Sequence, residues 1–199
     1  MKQSSVSLTA IILLLAMVSC SKEKNNATAG ADITGTYKFI SSQAKTNTTV
    51  QSISGSHVSK TVTTSDYTTL NNAGTVTIDG NKFIMTNLAY SINSTANAIL
   101  YEDGVVSGTF SAPIKFTLPP SSGTSTYKKI SADSIYFESG SLLTGNATTA
   151  SQPGGSKIKF ENGILTMYGN FLQSSTSTNQ GETVTSIGTA ATVTTLQKQ

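Results

Sequence analysis

The sequence predicts an all-β protein: an antiparallel meander closed into a barrel of about eight to ten strands, with a two-sheet sandwich as the alternative. Three observations predict this class. Serine and threonine make up roughly 30% of the chain, and β-branched threonine favours half-buried strands. Polar and apolar residues alternate within short segments. Turn signals recur about every 8–12 residues, without a convincing helical pattern between them.

The alternating segments define the strands in chain order. The predicted strands are 35–45, 57–66, 75–78, 82–93, 98–102, 110–118, 134–138, 157–161, 164–171 and 183–197. The clearest of them is 110–118, where Phe110, Ile114 and Phe116 fall on one face with Ala112 and Leu118. Strands and turns alternate throughout 32–199, and this range contains no sequence repeat and no internal linker. The sequence therefore predicts a single domain over 32–199.

Tight turns and loops separate these strands. The pairs Asp79-Gly80, Asp103-Gly104 and Asn162-Gly163 predict two-residue hairpins, because such pairs readily adopt positive φ. Polar loops are expected at 119–123, which begins with two prolines, and at 139–156.

Proline 113 interrupts the clearest strand. Pro113 has no N–H to donate to a ladder of hydrogen bonds. The strand is therefore expected to lie at a sheet edge or to be bulged at this residue.

The N-terminus carries an export signal that ends at the single cysteine, Cys20. Lys2 precedes an apolar run at 8–18, which is too short to span a bilayer as an anchor. The run ends in Ser19-Cys20 and resembles the lipobox of bacterial lipoproteins, with Met17 where that family most often has Leu. The resemblance implies cleavage before Cys20, acylation of its thiol and amine, and a membrane partner held through acyl chains. The predicted organisation is a signal peptide at 1–19, an acylated, flexible tether at 20–31 and the β domain at 32–199.

Charge and cysteine content exclude several classes of protein. Charged residues make up 12% of the chain, the formal net charge is +3, and arginine is absent. Without a basic patch, nucleic acid is excluded as an expected partner. Once Cys20 is acylated, no thiol remains to form a disulfide.

The sequence offers no set of converging catalytic or metal-binding residues. His57 is the only histidine and lies in an alternating strand, where an exposed position is expected. Glu102 and Asp103 flank a tight turn and are interpreted as solvated turn residues, like Asp79. Gly154-Gly155 is expected in a turn, not in a phosphate-binding loop between strand and helix. We therefore expect no catalytic residue, no metal, no cofactor and no enzymatic activity.

The start and end of the β domain resemble a known family. Residues 35–41 (GTYKFIS) resemble the first strand of lipocalin-like domains in Bacteroidota lipoproteins, with Tyr37 at a position where the family has Trp or Tyr. Residues 191–198 (ATVTTLQK) resemble the short last strand of those proteins. The resemblance implies a lipocalin-like, or calycin-like, barrel. The Arg that packs over the Trp in lipocalins is absent, because this chain contains no arginine.

Residues after Cys20 resemble sorting signals for the outer membrane of a Gram-negative bacterium. Ser21 stands where Asp would oppose such sorting, and Lys22-Glu23-Lys24 resembles the charged tag that exports Bacteroidota lipoproteins to the cell surface. Both the periplasmic and the surface face remain open at this stage.

Two functions are compatible with this chain. The barrel resemblance implies a small apolar ligand inside the barrel, which requires inward side chains smaller than the space they enclose. The alternative is a cell-surface interaction, adhesion or glycan-binding module that uses loops such as 139–156. The sequence assigns no ligand-binding residue, and its fourteen aromatic residues are interpreted as core packing.

Overall fold

A computed structural model describes residues 32–138 and 153–199, which form one antiparallel sheet closed into a barrel. The all-β meander prediction is confirmed. The strands are β1 (Gly35–Ser54), β2 (His57–Thr68), β3 (Leu70–Ile78), β4 (Lys82–Glu102), β5 (Val105–Ser131), β6 (Ser134–Phe137), β7 (Gly154–Glu161), β8 (Ile164–Asn179) and β9 (Glu182–Lys198). The predicted signal peptide, Cys20, the tether and residues 139–152 of the predicted loop lie outside the described residues.

The barrel closes between the first and last strands. β1 pairs with β9 from Tyr37↔Lys198 to Ser54↔Glu182. β2 and β3 share one position in the wall, because both lie between β1 and β4 at different heights. The nine strands therefore fill eight wall positions. All nine lie within 35–198, so a chain that starts at residue 21 contains every strand of the ring.

Side chains fill the interior of the barrel where all eight positions are occupied. We call this part the closed ring; it comprises residues 35–41, 75–86, 121–137, 154–169 and 194–198. Tyr37, Phe39, Leu165 and Leu196 are each no more than 1% exposed there. Burial of such a side chain contributes about 1.5–3 kcal/mol, so this end of the barrel carries most of the hydrophobic stabilisation.

Within 32–138 and 153–199, the wall of the barrel is incomplete beyond the short strands β6 and β7. Among the described residues, β5 pairs with β4 alone along 105–118, and β8 pairs with β9 alone along 170–179. Here the wall is a six-stranded sheet in the order β5-β4-β2-β1-β9-β8. We call this part, residues 43–68, 90–118 and 170–193, the open half. Its inner face continues the interior of the closed ring.

Register shifts separate the closed ring from the open half. They occur beside Ile40 in β1, around Gly74 in β3 and around Asn87 in β4. Gly74 has φ +97°, and a Cβ atom there would lie 2.5 Å from the carbonyl oxygen of Asn87. Only glycine accommodates both the backbone conformation and this close approach of two strands.

Two of the three predicted hairpin turns are confirmed. Asn162 and Gly163 have φ +51° and +76°, and Asp103 and Gly104 have φ +46° and +84°. These are the paired positive values of a two-residue hairpin turn.

The predicted two-residue turn at Asp79-Gly80 is wrong. The connection from Ile78 to Lys82 has three residues, and the Asp79 carboxylate closes it by accepting hydrogen bonds from the N–H groups of Asn81 (3.1 Å) and Lys82 (2.7 Å). An aspartate side chain offers this Asx closure as an alternative to the positive φ values that the pair would otherwise adopt.

The loop expected at 119–123 is also wrong, because β5 continues through Pro119 and Pro120. A strand tolerates proline where one edge is unpaired, and β4 is the sole described neighbour of β5 here. The edge position expected for Pro113 is confirmed for the same reason.

Several further boundaries differ from prediction, since β1 extends to Ser54, β5 spans Val105–Ser131 and β8 extends to Asn179. Residues 82–93 and 98–102 belong to one strand, β4, whose alternation continues through the short polar side chains between them. Gly154 and Gly155 begin β7 instead of ending a loop, because they pair with Phe137 and Tyr136 of β6.

Candidate ligand-binding face

An apolar strip lies on the inner face of the open half. Strand register places the inward residues of β5 directly opposite those of β4, for example Phe110 opposite Ala98 and Phe116 opposite Ile92. The apolar strip consists of Tyr90, Ile92, Phe110, Ile114, Phe116 and Leu118. It results from period-2 alternation, which keeps every second residue of both strands on one face.

The apolar strip extends the core of the closed ring into the open half. Ring centroids are 6.1 Å apart between Phe39 and Tyr90, and again 6.1 Å apart between Tyr90 and Phe116. Burial decreases along this series: Tyr90 is 6% exposed, Phe116 42% and Phe110 52%. Large apolar side chains left uncovered on an inward face are typical of a ligand-binding surface.

Hydroxyl groups cover the neighbouring part of the same face. Strand pairing places Thr46 opposite Ser65 and Thr48 opposite Thr63, with Thr61 next along β2. We call these five residues the hydroxyl strip. The Thr46 and Ser65 hydroxyl oxygens are 2.7 Å apart, within hydrogen-bond distance. At the base of the open half, the Ser42 and Thr194 hydroxyls form a buried hydrogen bond of 3.1 Å.

Two tyrosines near the base supply neutral phenols. Burial, followed by the neighbouring Tyr67 phenol, raises the pKa of Tyr90 to about 12. Burial also raises the pKa of Tyr67. Both groups therefore stay protonated throughout the physiological range, and a phenol O–H both donates and accepts hydrogen bonds.

Charged side chains of the open half lie on its outer face or at its rim. Lys45, Lys60 and Lys115 occupy outward register positions, and Lys45 forms an exposed ion pair with Asp66 at 3.6 Å. The Lys60 ammonium lies 4.2 Å from the centroid of the Tyr101 ring, also on the outer face.

His57 and Asp103, to which the sequence assigned no catalytic role, meet at the hairpin tips on the rim of the open half. His57 Nδ1 lies 3.2 Å from Asp103 Oδ2, and both side chains are exposed. The Val58 N–H, and secondarily His57, hold the pKa of the Asp103 carboxyl below its ordinary value. Asp103 therefore serves the turn, as predicted, while Glu102 ends β4. Within 32–138 and 153–199, no three His, Cys, Asp or Glu residues are grouped to hold a metal ion.

The aromatic residues divide between core and exposed positions. Tyr37, Phe39, Phe83, Tyr90, Tyr127 and Phe137 are buried, as the core-packing interpretation predicts. That interpretation is wrong for Phe110, Phe116 and Tyr168, which are exposed. Alternation in 110–118 predicts which face of the sheet Phe110 and Phe116 occupy. It does not predict how exposed these side chains are, because their exposure depends on which other strands cover that face.

A cation packs over the aromatic residues at the closed end. Lys198 Nζ lies 5.9 Å from the Tyr37 ring centroid and 5.5 Å from that of Phe160. The Tyr37 hydroxyl donates a 2.8 Å hydrogen bond to the Ile33 carbonyl oxygen. These contacts join the start of the domain to its last strand.

Two grooves lie across the outer surface and meet at Asn170. One has a volume of about 630 Å³ and includes Lys45, Thr64 and Leu172 in its lining. The other has a volume of about 380 Å³ and includes Tyr168 in its lining. Both are shallow and open to solvent.

Comparisons with known proteins assign no family. No protein-family model matches the chain, and no curated protein matches it significantly. No helix in the described ranges is long and apolar enough to cross a membrane.

Three solved structures show a weak likeness. OccK7 (OpdD) of Pseudomonas aeruginosa is 11% identical with a TM-score of 0.23; the match covers 74% of this chain and 39% of OccK7. Ail, the attachment invasion locus protein of Yersinia pestis, is 9% identical with a TM-score of 0.18; the match covers 82% of this chain and 99% of Ail. The translocator domain of autotransporter NalP from Neisseria meningitidis is 10% identical with a TM-score of 0.21; the match covers 83% and 90%. The chain thus spans about two fifths of OccK7, and scores this low support no functional inference.

Proposed function

We propose that this protein is a lipid-anchored lipoprotein of a Gram-negative outer membrane whose lipocalin-like barrel binds a small apolar ligand without catalysing its conversion. The ligand lies on the inner face of the open half, against the apolar strip. The single observation that carries this proposal is the exposure of Phe110 and Phe116 on an inward-facing surface.

The location differs from the cavity expected inside a fully closed barrel. Tyr37, Phe39 and Leu165 are buried inside the closed ring and belong to its hydrophobic core. Among the residues that the structure describes, the open half offers an uncovered inner face, since β6 and β7 as described end below it. Tyr37 at the start of β1, the β1–β9 closure and Lys198 over the Tyr37 ring support the lipocalin-like assignment.

Ligand binding is tested on residues 21–199, which contain every strand. We expect native mass spectrometry to reveal a bound mass that is lost on denaturation, and the uncharged probe N-phenyl-1-naphthylamine to fluoresce on binding. Phe110→Ser should weaken probe binding about tenfold, since it removes a large exposed apolar surface. The control Ile99→Ser changes a comparably exposed apolar residue on the outer face of the same sheet. A bare mass together with no probe binding would refute the ligand site.

Lipidation is tested on the full chain. We expect the native protein to fractionate with membranes, and Cys20→Ala to leave the membrane fraction or accumulate as uncut precursor. Ser21→Ala is the control, because it keeps the thiol that the lipobox resemblance requires. Normal processing and membrane fractionation of Cys20→Ala would refute lipid attachment.

A surface-interaction function is the second candidate, and the outer groove at Tyr168 favours it. Tyr136 and Tyr168 line this groove beside Asn170, and a tyrosine ring can stack on a sugar. We expect Tyr168→Ala to abolish any glycan binding detected on an array of neutral glycans. Glycan binding that survives this change would exclude the groove as its site.

A further inference from the structure

The inner face of the open half carries charge at its rim alone. Below the rim, alternation along β1, β2, β4, β5, β8 and β9 directs uncharged residues inward, while Lys45, Lys60 and Lys115 point outward. Among the described residues, the ionisable side chains at inward positions of the open half and its rim are His57, Glu102 and Glu182, each at a hairpin end, and His57 is paired there with Asp103 of the neighbouring turn. Glu182 accepts a hydrogen bond from Ser52.

This distribution opposes the binding of a charged ligand group. A carboxylate, phosphate or ammonium bound against the apolar strip would lose water and find no opposite charge on the face. The rim carboxylates Glu102 and Glu182 would in addition repel an anion that enters from the open end.

The same face can satisfy an uncharged polar group. The hydroxyl strip lies on β1 and β2, beside β4 and therefore next to the apolar strip. Each of its Ser and Thr hydroxyls can donate one hydrogen bond and accept others. The Tyr67 phenol, near Tyr90 at the base, adds a neutral group of the same kind.

We infer that the ligand is an uncharged amphipathic molecule, with an apolar chain against the apolar strip and a hydroxyl or carbonyl group bonded to the hydroxyl strip. This inference rests on the proposed ligand-binding function and narrows the ligand class. Acylglycerols and long-chain alcohols fit this description, whereas free fatty acids, lysophospholipids and alkylamines do not.

The first test compares two dyes with one ring system. N-phenyl-1-naphthylamine is uncharged at pH 7, whereas 1-anilinonaphthalene-8-sulfonate carries one sulfonate. We expect residues 21–199 to bind the sulfonate dye at least about tenfold more weakly. Competition against the uncharged dye should rank 1-lauroylglycerol well above laurate and dodecylamine, whose apolar chains have similar length.

The second test introduces a cation on one face or the other. Thr63 points inward and its neighbour Thr64 outward on the same strand. Thr63→Lys should strengthen binding of laurate and the sulfonate dye about tenfold, because it supplies the missing opposite charge. Thr64→Lys adds the same charge to the outer face and should leave both affinities unchanged.

The outcomes separate this inference from the proposed function. If neither dye nor any lauryl compound binds, both are overturned. If charged and uncharged compounds bind equally well, or if Thr63→Lys and Thr64→Lys act alike, the ligand site stands and the inferred ligand class is overturned. The inference is supported if the protein prefers uncharged compounds and if Thr63→Lys, but not Thr64→Lys, weakens this preference.

Discussion

At the scale of single residues, the position of Gly74 requires glycine. Its φ of +97° and the 2.5 Å approach to Asn87 exclude a Cβ atom. We expect Gly74→Ala to lower the free energy of unfolding by about 2–4 kcal/mol, because strand β3 must shift away from β4. Chemical denaturation monitored by circular dichroism measures this loss.

Gly80 provides the matched control for that substitution. It has open space around a Cβ atom and no positive φ, so Gly80→Ala should change stability by less than about 0.5 kcal/mol. If Gly74→Ala also changed the free energy of unfolding by less than about 0.5 kcal/mol, β3 and β4 would be able to separate at Gly74 without loss of stability.

The ionisation of the Tyr90 phenol should make the free energy of unfolding depend on pH in the alkaline range. Burial raises its pKa from 10.0 in the unfolded chain to about 12 in the fold. The raised pKa favours the protonated phenol, so this contribution to stability is complete below pH 10 and is lost between pH 10 and 12. In Tyr90→Phe the ring remains and nothing ionises at this position.

We therefore expect the native protein to lose up to about 2 kcal/mol more than Tyr90→Phe between pH 9 and 11.5. Denaturation midpoints measured at several pH values give this difference. Parallel curves for the two proteins would mean that Tyr90 ionises in the fold as easily as in the unfolded chain.

At the scale of elements, proline protects the edge of β5 that has no neighbouring strand among the described residues. Pro113 pairs with Thr95 within an unbroken part of the β4–β5 ladder, so its missing N–H belongs to the side away from β4. Prolines and lysines on exposed edges prevent pairing with another chain, and Lys115 lies two residues further on.

We expect Pro113→Val combined with Lys115→Val to make the protein self-associate through β5, with a molecular mass that rises with concentration. Multi-angle light scattering after size exclusion measures this mass. Thr95→Val adds a similar apolar side chain to β4 and should leave the molecular mass the same as that of the native protein. If both variants self-associated to the same extent, the added surface hydrophobicity would explain the effect, and unprotected pairing at the edge of β5 would not be needed to explain it.

The elements also show what sequence can and cannot predict here. Asn162-Gly163 and Asp103-Gly104 were predictable because local conformational preferences determine those turns. The extension of β5 through Pro119 and Pro120 was not, since proline fits a strand only where a distant neighbour is absent. In the same way, alternation predicts the face that holds Phe110, whereas its 52% exposure depends on which distant parts of the chain cover that face.

At the scale of the whole molecule, the barrel consists of two parts with different amounts of core. Buried apolar side chains such as Phe39, Leu165 and Leu196 cluster in the closed ring. The inner face of the open half is formed largely by hydroxyl groups and half-exposed aromatic rings, which contribute less burial per residue. The two parts should therefore open with different free energies, although they share continuous strands.

Hydrogen exchange measured by mass spectrometry tests this difference. We expect slow exchange in 75–86, 154–169 and 194–198, and faster exchange in 48–62 and 98–112, because local opening of the long hairpins exposes little apolar surface. The expected order holds even within single strands, since β1, β4 and β9 each cross both parts. Uniform protection along these strands would mean that the open half unfolds only together with the closed ring, and that its hydroxyl pairs stabilise it as effectively as the core stabilises the ring.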